Sequence, residues 1–437
     1  MTGDTIFALA TPPGRSAVAI LRISGPGSRF ALETICGQPP APREARLRTL
    51  RDAEGQSVDR GLVLWFPGPA SATGEDCAEF HVHGGRAIVE ALVQILMRLP
   101  ECRPAGPGEF TRRALENGRI DLTQAEAVAD LVDAATDAQR IQALRQEGGA
   151  LRHAVAHWRT QLIEVLAQLG ALLDFADESD VGEDRTREVA LVSLANLAAS
   201  LTEALRASRR GERLREGFLV VCAGAPNAGK SSLVNAMAGR DIAIVTPHAG
   251  TTRDVVTVDV AIAGLPVRLA DTAGLRETED PVEAIGIGRA LEHAEAADLT
   301  LWLSPDGFSG SGPPGEVVVK VRTKIDSVPE RFDDGRADLE VSALTGEGLD
   351  LLRNRIVDLL GGSHAAPSLV TRERHRLAIV QALDHVQGAR DGLTSGRWPE
   401  LVAEDVRLAV RALDELVGAV GVETVLDRLF SGFCIGK

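Results

Sequence analysis

One glycine-rich segment of the chain, GAPNAGKSS at residues 224–232, combines a lysine with two hydroxyl side chains. It fits the pattern GxxxxGK[ST], with an apolar run, FLVVCA, before it and a helix-forming run, SSLVNAMAG, after it. Backbone N–H groups of such a loop surround phosphate oxygens. Lys230 would then reach the β- and γ-phosphates, and the Ser231 hydroxyl would bind Mg²⁺. The alternative is a glycine-rich turn that matches by chance, and the flanking patterns count against it.

Further segments in the expected order favour a complete nucleotide site. GTTRD, at residues 250–254, offers Thr252 to the same Mg²⁺, and DTAGL, at residues 271–275, follows the apolar run PVRLA. Asp271 would contact the ligands of the metal and not the metal itself, and the Gly274 amide would lie near the γ-phosphate. These segments resemble the translation-factor-related GTPases.

The base-binding segments favour guanine over adenine. TKID, at residues 323–326, follows the run EVVVKVR, and its Asp326 can accept hydrogen bonds from N1–H and the exocyclic amine of guanine. SAL, at residues 342–344, suits backbone contact to the base oxygen. Thr323 stands where the family usually has asparagine, which predicts one weakened base contact.

The hydrolytic residues depart from the Ras pattern. Leu275 occupies the place of the glutamine that orients water in Ras-like proteins. Candidate substitutes in the acidic segment that follows are Glu277, Glu279 and Glu283, although a solvated carboxylate is the plainer interpretation of Glu283. Asn227 offers a neutral oxygen beside the phosphates, where a monovalent cation would fit.

The elements that carry these motifs predict a multidomain α+β and α/β chain. Residues 1–118 mix short β-branched runs with a helical pattern and predict an N-terminal α+β domain. Residues 119–215 and 363–437 have helical periodicity and predict two parts of one discontinuous helical domain. Residues 216–362 alternate buried strands with helices and predict an inserted Ras-like P-loop GTPase domain.

Composition sets further bounds. The chain has 437 residues, 44% hydrophobic and 25% charged, as in globular proteins. Its net charge of −15 argues against a chain that binds nucleic acid over its whole surface. Five cysteines without CxxC spacing suit reduced thiols. With no signal peptide and no long apolar run, we expect a cytoplasmic protein without a membrane span.

The motifs together closely resemble the MnmE (TrmE) family of tRNA-modification GTPases. The resemblance spans the chain and includes GEDCAEFHVHGG at residues 74–85, DTAGLRET with VEAIGI, and the terminal CIGK at residues 434–437. It implies a potassium-stimulated GTPase whose G domains dimerise. K⁺ would be bound by Asn227, Thr246, His248 and Thr251; Glu283 would orient the water, and Arg276 would contribute to ordering the switch. The GTP-binding positions that follow are Asn227, Ala228, Gly229, Lys230, Ser231, Ser232, Thr246, Pro247, His248, Ala249, Gly250, Thr251, Thr252, Asp271, Thr272, Ala273, Gly274, Thr323, Lys324, Asp326, Ser342, Ala343 and Leu344.

The resemblance also implies a tetrahydrofolate site in the N-terminal domain. Its matching positions are Arg22, Glu79, Arg119 and Lys437, with Cys434 as a functional thiol. A carboxylate such as Glu79 suits the donor edge of a pterin. Because Glu79, His81 and His83 share one strand face, a metal site is an alternative, but no fourth ligand stands at convincing spacing. Cys434 also superficially matches a prenylation box, which the terminal lysine argues against.

The function implied is wobble-uridine modification. With an MnmG-type flavoprotein that uses FAD and NADH, a homodimer in a heterotetramer would add a carboxymethylaminomethyl or aminomethyl group to C5 of U34 in certain tRNAs. The one-carbon donor would be 5-formyl- or methylene-tetrahydrofolate. Two rivals stay open: a regulatory GTPase switch in ribosome or RNA maturation without one-carbon chemistry, and a folate-dependent transferase with a vestigial G domain.

Overall fold

The structure is a computed structural model and describes residues 3–174, 181–240, 257–271, 295–308, 312–327, 337–361, 368–420, 426, 429–433 and 436. The chain divides into two compact units, one of residues 1–129 with 413–437 and the other of residues 130–412. The bounds predicted for the individual domains stay a prediction.

Six strands form one sheet in the described part of the first unit. They are β1 (Thr5–Leu9), β2 (Ser16–Ser24), β3 (Arg46–Arg51), β4 (Ser57–Phe66), β5 (Cys77–Gly84) and β6 (Cys102–Pro104). Their order across the sheet is β3-β4-β5-β2-β1-β6. β1 and β6 are parallel, and the other neighbouring strands are antiparallel. The runs SAVAILRIS and AEFHVHGG therefore lie on adjacent strands.

Helices cover this sheet and enclose a core. They are α1 (Ser28–Cys36), α2 (Arg86–Met97) and α3 (Glu109–Glu116), and α4 (Leu122–Asp133) follows. The core includes Phe7, Ile23, Phe80 and Leu92, all almost fully buried. The helical pattern AIVEALVQILMRL corresponds to α2, so the predicted α+β class is confirmed for this part of the chain.

Four helices lead through the first part of the second unit. They are α5 (Asp137–Glu147), α6 (Ala150–Asp174), α7 (Val181–Arg206) and α8 (Ser208–Glu216). α5 begins at a capping box, in which Thr136 accepts from the Gln139 backbone N–H while the Gln139 side chain accepts from the Thr136 N–H. Buried Leu162, Val165 and Leu169 repeat at helical spacing along α6, so the predicted helical run is confirmed.

The nucleotide-binding motifs lie on a second sheet. Its strands are β7 (Phe218–Ala223), β8 (Thr257–Ile262), β9 (Leu265–Asp271), β10 (Leu299–Ser304), β11 (Val318–Arg322) and β12 (Leu339–Glu340), in the order β12-β11-β10-β7-β9-β8. Only β8 runs antiparallel to its neighbour among these described strands. With α9 (Lys230–Arg240) and α10 (Leu349–Leu359) they form the predicted P-loop GTPase fold. Parallel strands place their carboxyl ends, and the motifs after them, at one edge.

Two further helices follow, α11 (Glu373–Thr394) and α12 (Pro399–Val417). α7 packs against both α6 and α11, so helices from either side of the nucleotide-binding sheet in sequence meet in the second unit. This arrangement agrees with the prediction of a discontinuous helical domain.

By length and composition alone, one helical stretch in the described part of the chain, Arg185–Glu216, could cross a membrane. Only 28% of its most apolar window is buried within the structure. Because core helices meet the same two criteria, one such stretch is weak evidence for a membrane span.

Candidate functional site

The phosphate-binding loop connects β7 to α9 through backbone conformations that its sequence permits. Gly224 has φ 153° and Gly229 has φ 89°, and both values favour glycine. A Cβ at Gly224 would lie 2.3 Å from the Leu303 carbonyl oxygen, so only glycine fits there. Asn227 has φ 62°, a left-handed conformation that asparagine tolerates better than most residues. The loop therefore has the tight turn that its motif predicts.

Lys230 is 6% exposed and folds back on the loop. Its Nζ donates to the carbonyl oxygens of Gly224 at 2.7 Å and Ala225 at 2.9 Å. Burial lowers the pKa of Lys230, which the negative charge of Asp271 opposes. The ammonium is thus held inside the loop, where the phosphates of a nucleotide would replace part of its lost hydration.

Ser231 and Asp271 meet at the carboxyl edge of the sheet. β7 and β9 are parallel neighbours, with Cys222 opposite Asp271, and the Ser231 hydroxyl donates to Asp271 Oδ2. The pair presents the hard oxygen donors that Mg²⁺ prefers. Cys222 is fully buried, and burial raises the pKa of its thiol to about 12, so this cysteine is chemically inert.

Thr323 connects the base-binding loop to the phosphate loop. Its side chain is 3% exposed, and its Oγ1 donates to the Ala228 carbonyl oxygen at 2.6 Å. The following residue, Lys324, has φ 58°. The hydroxyl that replaces the usual asparagine therefore has a bonded partner in the other loop, a contact that sequence reasoning missed. This contact could have been suspected from the sequence, because threonine, like the usual asparagine, has a side-chain hydrogen-bond donor.

Asp326 is held by two hydroxyls. Ser342 Oγ donates to its Oδ1 at 2.5 Å and Ser327 Oγ to its Oδ2 at 3.0 Å. The hydrogen bond from Ser342 holds the pKa of Asp326 below its ordinary value, so the carboxylate stays ionised and can accept from two N–H groups. Sequence reasoning placed Ser342 at the base through its backbone and missed this side-chain role.

A cleft of about 270 Å³ lies between the two loops. The residues that line it include Gly229, Thr323, Lys324, Asp326, Ala343 and Leu344. Leu344 is 84% exposed, so an apolar side chain stands at the open side. The cleft adjoins both the phosphate loop and the Asp326 carboxylate that is predicted to bind the base, so a guanine nucleotide could contact both.

The first unit contains the second predicted site. Arg22 on β2 is directly opposite Glu79 on β5, and Arg22 Nε lies 2.9 Å from Glu79 Oε1. Burial would raise the pKa of Glu79, but the hydrogen bond from His81 and the charge of Arg22 outweigh it and hold that pKa below its ordinary value. Arg119 lies exposed just after α3, with its side chain beside Gly74, and among the described contacts it has no ion pair with Glu79.

The C-terminal segment packs against the N-terminal sheet within the same unit. A Cβ at Gly436 would lie 2.5 Å from the Leu9 carbonyl oxygen, and one at Gly108 would lie 2.7 Å from the Phe430 ring. The neighbour of Leu9 on β1, Ala8, pairs with Arg22. The residue next to Lys437 in sequence is therefore close to the strand pair that carries Arg22.

Several predicted site residues lie outside the described part of the chain. They are Thr246, Pro247, His248, Ala249, Gly250, Thr251, Thr252, Thr272, Ala273, Gly274, Arg276, Glu283, Cys434 and Lys437. Their assignments stay predictions.

Histidines of β5 pair with separate carboxylates. His81 Nε2 lies 3.0 Å from Glu79 Oε2, whereas His83 Nδ1 lies 2.9 Å from Asp59 Oδ1. No group of three or more His, Cys, Asp or Glu side chains that could hold a metal occurs among the residues that the structure describes. The geometry thus gives no support to a metal site at Glu79, His81 and His83.

Comparison with known proteins gives full-length relatives. Residues 5–119 match the family model described as GTP-binding protein TrmE N-terminus, and residues 122–434 match the MnmE helical domain. The chain is 55% identical over 445 residues to the tRNA modification GTPase MnmE of Methylorubrum populi, covering 99% of this chain and 98% of that protein. It is 48% identical to that of Maricaulis maris, covering 99% of both. The G domain of the T. maritima FeoB iron transporter matches at 25% identity over 32% of this chain and 98% of that chain, with a TM-score of 0.25, too low to support an argument.

Proposed function

Because this chain belongs to the MnmE family of tRNA modification GTPases, we propose that it couples potassium-dependent GTP hydrolysis to one-carbon transfer onto the wobble uridine of tRNA. The broader activity follows from the family membership: the chain is a GTP hydrolase that acts in tRNA modification.

The observation that best supports a nucleotide site is a hydrogen bond between the loop proposed to bind the base and the loop proposed to bind the phosphates. Thr323 donates to Ala228, so the loop that would bind the base is bonded to the loop that would bind the phosphates. Lys230 and the ionised Asp326 lie at the two ends of this arrangement. Each end has the charge that its part of GTP needs: an ammonium for phosphate, and a carboxylate for the N–H groups of guanine.

Two cations, Mg²⁺ and K⁺, are proposed for the nucleotide site. Ser231 and, from outside the described residues, Thr252 would hold Mg²⁺ beside Asp271, while Asn227 would hold K⁺ together with Thr246, His248 and Thr251. Bound cations would neutralise charge that develops on the phosphates. Glu283 would orient the attacking water, with Arg276 contributing to order in that segment.

The one-carbon donor would bind in the first unit. Glu79 and Arg22 present opposite charges on adjacent strands, suited to a pterin donor edge and to an anionic tail or formyl oxygen. The packing of Gly436 against Leu9 supports a contribution from Cys434 and Lys437, since it brings the C-terminal segment to that sheet. Arg119 would complete the site from beside Gly74.

The wider assembly is proposed from the family. Residues 1–118 would bind folate and dimerise, residues 216–362 would hydrolyse GTP, and residues 119–215 with 363–437 would connect them. A homodimer would join an MnmG-type flavoprotein that supplies FAD and NADH chemistry. With a net charge of −15, most tRNA affinity would rest with that partner.

Hydrolysis by the purified full chain tests the potassium proposal. We expect GTP turnover to be more than about tenfold faster in KCl than in NaCl of equal ionic strength. The reason is that bound K⁺, which NaCl does not supply, would replace an arginine finger. Lys230→Ala is the control that removes turnover in both salts. Equal rates of the wild-type protein in the two salts would contradict the proposal.

Mass spectrometry of wobble uridines tests the tRNA proposal. In a strain that lacks this protein, we expect U34 to be unmodified. Expression of the wild-type chain should restore the modification, and expression of Cys434→Ser should not. Normal U34 modification in the strain that lacks this protein would favour the rival regulatory switch without one-carbon chemistry. Restoration by Cys434→Ser would contradict only the proposed role of the Cys434 thiol.

A further inference from the structure

Two side chains bind the Glu79 carboxylate, one on each oxygen. Arg22 Nε and Nη2 both lie 2.9 Å from Oε1, and His81 Nε2 lies 3.0 Å from Oε2. The Glu79 side chain is 17% exposed and the His81 side chain 25%. A mostly buried carboxylate is thus fixed from both sides while part of it stays accessible.

His81 reaches Glu79 because of its place on the sheet. The two residues are two positions apart on β5, so their side chains stand on the same face. Across the sheet His81 is opposite Ile20 on β2 and Leu62 on β4, neither of which offers a polar side chain. An ionised carboxylate only accepts hydrogen bonds, so His81 Nε2 must carry the hydrogen. The depressed pKa of Glu79 agrees with an ionised carboxylate.

We infer that His81 is a positioning residue for the ligand site at Glu79, and that it orients the carboxylate toward one N–H donor of a bound heterocycle. This inference rests on the proposed folate site. A carboxylate has about four lone-pair positions, two on each oxygen. Arg22 uses both positions on Oε1 and His81 uses one on Oε2, which leaves one for the ligand.

His83 provides an internal comparison for this role. It lies on the same strand and face, yet its ring is 71% exposed and pairs with Asp59, which also accepts the His83 backbone N–H at 2.9 Å. Because the two histidines bind different carboxylates, they do not converge on one point as metal ligands would. Of the two histidines, His81 is the one that contacts Glu79.

Binding of 5-formyltetrahydrofolate to the purified full chain tests the inference by calorimetry. We expect His81→Leu to raise Kd about five- to tenfold, because the ligand would then bind a carboxylate that is no longer oriented through Oε2. His81→Gln keeps a side-chain donor and should stay within about twofold of wild type. His83→Leu is the matched control and should bind as wild type does. Glu79→Gln should bind far more weakly than any of them.

The outcomes separate this inference from the proposed site. Wild-type affinity in His81→Leu, alongside weak binding by Glu79→Gln, would overturn the role of His81 and leave the folate site standing. Equal losses in His81→Gln and His81→Leu would also overturn it, because the imidazole would then act on the ligand itself. No binding by the wild-type chain would overturn the proposed folate site, and this inference with it.

Discussion

A single hydroxyl, that of Thr323, donates a hydrogen bond from the loop at residues 323–326 to the phosphate loop. The sequence predicted a weakened base contact there, since threonine replaces asparagine. The structure adds a second role, because Thr323 donates to Ala228 from 95 positions away. Both atoms are buried, and a buried carbonyl that loses its donor costs more than the hydrogen bond alone contributes.

Replacement of Thr323 tests that role. We expect Thr323→Val, which has nearly the same shape, to weaken GDP binding by about tenfold, because the Ala228 carbonyl loses its donor and the loops separate more easily. Thr323→Ser keeps the hydroxyl and should bind close to wild type. Titration with a fluorescent GDP analogue measures both, and wild-type affinity in Thr323→Val would contradict the role.

At the scale of elements, an ionic network around one buried guanidinium joins α3 to Asp4, the residue just before β1. Arg113 on α3 is 3% exposed and donates to the Asp4 carboxylate at 2.8 Å, to Glu75 at 3.1 Å and to Glu109 at 3.2 Å. Arg103 also pairs with Asp4 and Glu109. One buried guanidinium thus holds three carboxylates from three different segments.

Removal of that guanidinium should loosen both elements. We expect Arg113→Met to destabilise this part of the first unit by about 3 kcal/mol, because it leaves the mostly buried Glu75 without a cation among the described ion pairs and removes one of the two guanidiniums that hold Asp4 and Glu109. Arg112→Met, on the same helix but exposed, should cost less than about 1 kcal/mol. Hydrogen exchange at β1 and α3, followed by mass spectrometry, distinguishes the two. Equal protection in both variants would show that the network contributes little.

The same network predicts an acid response. Burial would raise the pKa values of Asp4 and Glu109, but hydrogen bonds from Arg103 outweigh it and hold both below their ordinary values. As the pH falls, the two carboxylates are therefore protonated in the unfolded chain before they are protonated in the folded protein. Their stabilisation of the fold is complete above about pH 5 and is lost as the pH falls through their pKa values in the folded state. We expect the temperature of the thermal unfolding midpoint of the first unit to decrease when the pH is lowered below about 4. Arg103→Met should flatten that decline, and an unchanged slope would argue against the network as its source.

At the scale of the whole molecule, the second unit joins helices to the nucleotide-binding sheet through Asp298. Its Oδ1 lies 2.9 Å from Arg213 Nε on α8, and its Oδ2 accepts from the Leu219 backbone N–H at 2.8 Å. One residue, Gly217, separates the end of α8 from the start of β7. This junction lies at the start of the strands, opposite the edge that carries the phosphate loop.

Disruption of the junction should separate binding from modification. We expect Asp298→Leu to leave GDP affinity within about twofold, because the site lies at the other edge of the sheet. Under the proposed function, U34 modification in vivo should fall, since motion from the G domain would reach the helices less directly. Asp350→Leu, an exposed position on α10, is the control. Full modification with Asp298→Leu would contradict the expectation.

Local features were predictable from sequence, and long-range pairs were not. The order of β7, phosphate loop and α9 follows from adjacent residues, because apolar runs and glycines determine the backbone nearby. By contrast, the contact of Arg113 with Asp4 joins positions 109 apart and depends on how the sheet is ordered. Charged residues in a buried network look like surface residues in a sequence, since hydropathy does not record a partner.

The packing of residues 413–437 with residues 1–129 has a consequence for biosynthesis. A ribosome releases the N-terminal sheet early, yet the surface around Gly108 stays uncovered until Phe430 has been synthesised. In the same way, Leu122 stays uncovered until Gly418 has been synthesised. Apolar groups left exposed during translation favour aggregation. The first unit to be translated is therefore expected to be among the last to mature, and to depend on chaperones for that interval.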